Sequence, residues 1–272
     1  ELAEVEYFRK QWSIGLDRKV QQVLVKVKSR VLREVDPKSL SGLLTQSFLR
    51  ESLASGKQML FRFSAGNLPD KQLGWLGVHL GMTGKLFSQP LPYAPGKHDH
   101  LVLEMTDHAL IFQDMRLFGK ISFHVGTHPP DYWTQRPPDL LSSEFSRNDL
   151  KHFLKRRAKS PMKAVLLDQE RFPGIGNWMA DEILWQAEIH PATRAGELKE
   201  DQVKKLYQKI RYVCRGALKY VSPEHGDPPQ SWLFQHRWKD GGNCPKTGKA
   251  LVREKIGGRT TCFSPGRQGE VN

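Results

Sequence analysis

A proline-rich stretch, THPPDYWTQRPPDLL at residues 127–141, separates two textures that no single sheet or bundle accommodates. Upstream, from about 18 to 126, segments such as VQQVLVKVKSRVL, KQMLFRFS, WLGVHLG, HLVLEMTD and LIFQDMRL are short and often alternating. Turn residues separate them, which predicts the strands of a β-sandwich or barrel. Ahead of them Leu2, Val5, Phe8 and Trp12 hold helical spacing, with Glu1 and Glu4 where a helix dipole favours acids. Downstream the period is helical. Ser146, with Asp149 three residues on, predicts a capped helix start. Ser160-Pro161 opens a second helix, with proline at its tolerated first position. After the turn RFPGIGN a third runs from about Trp178 to Ala187. Over 200–221, Val203, Leu206, Ile210, Val213, Ala217 and Val221 share one face of a fourth. The basic, Gly-rich tail, about 232–272, suggests a short hairpin. The expected class is α+β.

Charge narrows the partners. Lys and Arg number 42 against 29 Asp and Glu, a net +13 with pI near 9.7. A polyanion is therefore expected, nucleic acid first and an acidic membrane surface second. The absence of a run of about 18 apolar residues excludes a hydrophobic span. The Glu-rich first residues read as neither signal nor transit peptide. Three distant cysteines, Cys214, Cys244 and Cys262, suit a reducing compartment better than a disulfide framework.

Five stretches could carry chemistry. FPGIGNWMADEI offers two glycines and then Asn177 at an expected N-cap. Free N–H groups at a helix start favour a phosphate, although an ordinary helical connection has the same outline. GVHLGMTGKLF sets Met82 between glycines, and QDMRLFGK sets Arg116 and Phe118 two apart, in a strand or a loop. The three could wedge into a base stack. Pattern alone favours Met82 and Phe118 as core residues and Arg116 as a surface charge. SGKQMLF and GGRTTCF present Lys57 and Arg259 after glycines, as phosphate ligands or as plain exposed cations. His98-Asp99-His100 lacks a third ligand at an obvious spacing, and Cys244-Pro-Lys-Thr247 is half a zinc knuckle, so no metal is expected.

Taken in order, ELAEVE, SGKQMLF, HLGMTG, DMRLFG, KAVLLDQERFPGIGNWMADEILWQAEIHP and GGRTT followed by Ser-Pro resemble the formamidopyrimidine-DNA glycosylase and endonuclease VIII family over nearly the whole chain. The resemblance implies an N-terminal helix and β-sandwich domain at 1–130 and a linker at 131–143. A helix-two-turn-helix domain at 144–231 and a finger hairpin at 232–272 follow, with damaged duplex DNA between the two domains. It also implies a reaction. A proline expected directly before Glu1, at a free N-terminus, attacks C1′, the base leaves, an imine forms and β/δ elimination cuts the strand. An α-amine near pKa 7.8 is about 14% unprotonated at pH 7, against about 0.04% for a lysine. Glu1 matches the family's catalytic acid, and Lys57 its catalytic-strand lysine. Lys57, Lys163, Asn177 and Arg259 would hold phosphates, with the Gly176 N–H at the same turn. Met82, Arg116 and Phe118 would fill the space of the everted nucleotide. Leu117 stands where the family carries a second arginine.

At the four cysteine positions of zinc-bearing members stand Cys244, Thr247, Ser264 and Arg267, so the finger is expected to be zincless. SPEHGDPPQSWLFQHRW is shorter than the lesion loop of members that grip 8-oxoguanine, which leaves oxidised purines, oxidised pyrimidines and abasic sites open. The expectation is a monomeric, cofactor-free DNA glycosylase and abasic-site lyase, bacterial cytoplasmic or nuclear. Its alternatives are a catalytically silent lesion binder and a lyase with little base excision.

Overall fold

The computed structural model describes residues 1–66 and 72–269. The chain divides into two compact units, Val5–Arg136 and Pro137–Asn272, and Glu1–Glu4 belong to the second. Helix α1, Leu2–Lys10, therefore begins in one unit and continues in the other.

The first unit is built on two antiparallel sheets. Its strands are β1 (Gln22–Val25), β2 (Phe48–Ser55), β3 (Gln58–Ser64), β4 (Gln72–His79), β5 (Lys85–Pro90), β6 (Asp99–Glu104), β7 (His108–Gln113) and β8 (Lys120–Val125). They pair in the orders β1-β6-β7-β5 and β2-β3-β4-β8. Alternation explains why both sheets bury a face. Met59, Phe61 and Phe63 of β3 join Leu101 and Leu103 of β6 and Leu110 and Phe112 of β7 in one core. Burying each such side chain contributes roughly 1.5–3 kcal/mol. The intervening Leu60 packs outward with Trp75 and Trp133, and Val102 with Ala109 and Ile111. The 18–126 segment is not all strand. Helix α2, Pro37–Leu44, interrupts it, capped by the Asp36 carboxylate on the Ser39 N–H.

The second unit is mostly helical. After the short α3 (Asp131–Thr134) of the first unit, α4 (Arg147–Arg156) starts at Ser146 with the expected capping box. Then follow α5 (Met162–Leu166), α6 (Asn177–Ala187) and α7 (Glu200–Tyr220). The face predicted for α7 is buried. Every residue of α6 after Asn177 is buried, so the other elements pack around it. A hairpin of β9 (Val252–Ile256) and β10 (Arg259–Phe263) and the short α8 (Pro265–Gln268) end the described chain. The last finger residues, 270–272, lie outside the described residues.

Candidate active site

α6 starts without a side-chain cap. Gly176 is its N-cap, so Asn177 is the first helical residue and not the cap expected from sequence. The orphan N–H groups of a helix start need an acceptor, and here it is Glu1. Its Oε2 accepts from the N–H of Gly176 at 3.1 Å and Met179 at 3.0 Å, and its Oε1 from Trp178 at 2.9 Å. The Leu2 N–H donates to the Gly174 carbonyl at 3.1 Å, and the Trp178 indole N–H to Glu4 at 3.0 Å. A Cβ on Gly176 would lie about 2.4 Å from the Glu1 carboxyl carbon, so only glycine fits. Sequence reading offered the Gly176 N–H to a phosphate, but the structure gives it to Glu1.

Opposing effects meet at Glu1. Burial raises its pKa, as does the neighbouring Glu4 carboxylate, while the N-terminal ammonium and the N–H groups of Trp178 and Met179 lower it, and burial prevails. A carboxyl with a raised pKa, held at a fixed point, suits proton donation.

The hairpin tip joins this turn. Gly257 and Gly258 have φ of +60° and +78°, a two-residue turn with both central residues left-handed. A Cβ on Gly257 would fall 2.9 Å from the Ala164 Cβ, so the tip lies directly on α5. Asn177 Nδ2 donates to the Thr260 carbonyl at 2.9 Å, and Arg259, the preceding residue, is exposed. Among the described residues Glu1 accepts from Gly176, Trp178 and Met179, and not from Asn177, at the same helix start.

Lys163 differs from its expected role. Its side chain is fully buried, and its ammonium donates to Asp181 Oδ1 at 2.6 Å and the Asn177 carbonyl at 2.7 Å. It braces the turn from inside and presents no charge to a phosphate. Asp181 also accepts from Arg237 Nη2 at 2.6 Å and the Cys262 N–H at 3.0 Å. Sequence reading missed both Asp181 and Arg237.

The finger positions do not fit a zinc ion. Cys244 accepts from the Trp185 indole N–H at 3.4 Å. Arg267 pairs with Glu188 at 2.9 Å and lies 4.8 Å from the Trp185 ring centre. A guanidinium only donates, and one thiol with two hydroxyls falls short of zinc's usual ligand set.

The remaining expected residues lie in the sheet unit. Lys57 is partly buried and follows Gly56 (φ +59°) in the tight turn between β2 and β3. Met82 is 70% exposed and Phe118 48%, so neither is a core residue. The Arg116 guanidinium lies 5.0 Å from the Phe118 ring centre. These two are not a strand pair, because Leu117 between them has φ +59° in a loop. The loop is held from below. The buried Asp114 accepts from Thr83 Oγ1 at 2.6 Å and the N–H of Gly119 at 2.7 Å and Arg116 at 3.2 Å. Arg33 donates to the Gly119 carbonyl at 2.8 Å. His100 bridges Ser29 Oγ and the Asp114 carbonyl, each at 2.8 Å, which accounts for the His98-Asp99-His100 stretch as scaffolding. The signal for Asp114 was present as the acid opening DMRLFG, with glycine five residues on.

Two family models match: the formamidopyrimidine-DNA glycosylase N-terminal domain over residues 1–121 and its H2TH domain over 137–223. Together they place the chain in the class of helix-two-turn-helix DNA glycosylases. The formamidopyrimidine-DNA glycosylase of Geotalea daltonii is 33% identical over 279 residues, covering 97% of this chain and 98% of its own. The Lactococcus lactis Fpg structures with DNA containing an oxidised pyrimidine and an abasic site each have a TM-score of 0.87. Both are 26% identical and cover 99% of this chain and 100% of theirs. The chain belongs to the formamidopyrimidine-DNA glycosylase family. It is a DNA repair enzyme, a bifunctional glycosylase and abasic-site lyase whose partner is duplex DNA carrying a damaged base or an abasic site. Among the described residues no helix is long and apolar enough to cross a membrane.

Proposed function

We propose that Glu1 is the general acid of this reaction and that the nucleophile is the amine of a proline directly before it. The observation that carries this reading is the Glu1 carboxyl, gripped by three N–H groups at the α6 start with its pKa raised by burial. The amine nitrogen bonds to C1′ and loses its proton, and the bond from C1′ to the damaged base breaks, the base leaving with the bonding pair and taking up a proton. Glu1 gives its proton to the sugar ring oxygen as the C1′–O4′ bond opens, leaving an imine. Loss of a C2′ proton then expels the 3′ phosphate and cuts the strand. Elimination of the 5′ phosphate can follow.

Asn177 and Arg259 are proposed to hold backbone phosphates, because the start of α6, which Asn177 opens, and an exposed guanidinium stand at neighbouring points. Lys57 is proposed for the same strand. Met82, Arg116 and Phe118 are proposed to occupy the gap left by nucleotide eversion, which their exposure over a rigid loop base favours. The finger is proposed to hold without zinc, and the protein to act in the bacterial cytoplasm or the nucleus.

The test is cleavage of three duplexes, carrying 8-oxoguanine, an oxidised pyrimidine or a bare abasic site. Release of an oxidised base with strand scission is the expected result. Scission of the abasic duplex alone would favour a lyase with little excision, and tight binding without scission a silent binder.

A further inference from the structure

Asp181 lies within α6 and is fully buried, and among the described residues its hydrogen-bond donors are none of the groups assigned to the reaction. Its two oxygens nonetheless gather four donors from three other parts of the second unit. Oδ1 takes Lys163 of α5 at 2.6 Å. Oδ2 takes Arg237 Nη2 at 2.6 Å, Arg237 Nε at 3.2 Å and the Cys262 N–H of β10 at 3.0 Å. From these partners two links run outward. Lys163 also donates to the Asn177 carbonyl, and Cys262 lies three residues beyond Arg259 on a strand whose Thr260 carbonyl holds the Asn177 amide. One carboxylate thus fixes both the residue that opens α6 and the strand that carries the fingertip.

The charges make this a rigid joint. Two buried cations share one buried anion, so neither can leave it without facing an apolar interior alone. No such demand applies to a surface pair. The neighbouring Glu1 is held by the same helix start but by separate donors.

We propose that Asp181 is a positioning residue for DNA-backbone binding, locking Asn177 and Arg259 in the mutual geometry that a phosphate pair requires. The inference rests on the phosphate roles proposed above. Arg259 is exposed, and its guanidinium meets a phosphate productively only if β10 is registered against α6. Asp181 supplies that register through the Cys262 N–H, and Arg237 clamps the same oxygen.

The experiment measures binding to an uncleavable duplex carrying a tetrahydrofuran abasic analogue, across a salt series. The variants are Asp181→Asn, Arg259→Ala and their combination. Arg237→Met is added because it leaves the Lys163–Asp181 pair balanced if Asp181→Asn folds poorly. Arg259→Ala is expected to lower the slope of log affinity against log salt by about one. Asp181→Asn and Arg237→Met are expected to lower it by a similar amount, and the combination by no more than Arg259→Ala alone. A general loss of stability would leave the slope unchanged. If Arg259→Ala lowers the slope while Asp181→Asn and Arg237→Met do not, or if the losses add, the positioning role is overturned alone. If Arg259→Ala leaves the slope unchanged, the phosphate assignment falls and this inference falls with it.

Discussion

Glu1 is the residue on which excision is expected to turn. Its carboxyl is partly buried, accepts three backbone N–H groups and keeps a raised pKa. Glu1→Gln retains an oxygen acceptor for those N–H groups but removes the transferable proton. Excision of an oxidised base is expected to slow by about 10²-fold or more, with binding to the abasic-analogue duplex nearly unchanged. Single-turnover excision and a binding titration check this, and an unchanged excision rate would remove Glu1 from the chemistry. The family motif made Glu1 legible in the sequence, but its grip was not, since Trp178 lies 177 positions away. Lys163 was misread for a related reason. The resemblance implied a phosphate ligand there, and only Asp181, 18 residues on, draws the side chain inside. Gly257 and Gly258 were legible, because a two-residue hairpin turn of this type requires positive φ at both.

Among the elements, α6 carries most of the constraints and gave the weakest amphipathic signal. A helix buried on every side has no polar stripe for periodicity to detect. Its start was found through the glycines before it. By contrast α7, with one buried face, was legible almost to the residue. β2 escaped because FLRESLAS lacks clean alternation, and a register shift between Leu49 and Glu51 interrupts its pairing. α6 also contains Glu182, buried, accepting from the Phe234 N–H at 3.0 Å and Gln186 Nε2 at 2.9 Å. Burial pushes its pKa up to about 7 from 4.5. A raised carboxyl favours the folded state fully below its unfolded pKa, and that contribution is lost as pH rises through about 7. The loss is of order 3 kcal/mol. Glu182→Gln, which cannot ionise, is therefore expected to show a flatter decline in stability between about pH 5 and 7.5. Denaturant titrations at both pH values measure it, and parallel declines in both proteins would show that Glu182 is not the group responsible.

For the whole molecule, the +13 charge and the exposed Met82 and Phe118 of the sheet unit suit work on nucleic acid. The α+β class was legible because a change of hydrophobic period needs only local sequence. The allocation of Glu1–Glu4 to the helical unit was not, because it depends on contacts with a turn over 170 residues away. Base excision is proposed to proceed through an imine on a proline adjoining Glu1. Borohydride trapping of the full-length protein on an oxidised-base duplex, followed by mass mapping of the N-terminal peptide, tests it most directly. A covalent DNA adduct on the residue immediately before Glu1 is the expected result. Base release with no trapped adduct, or an adduct on Lys57 or another lysine, would contradict it.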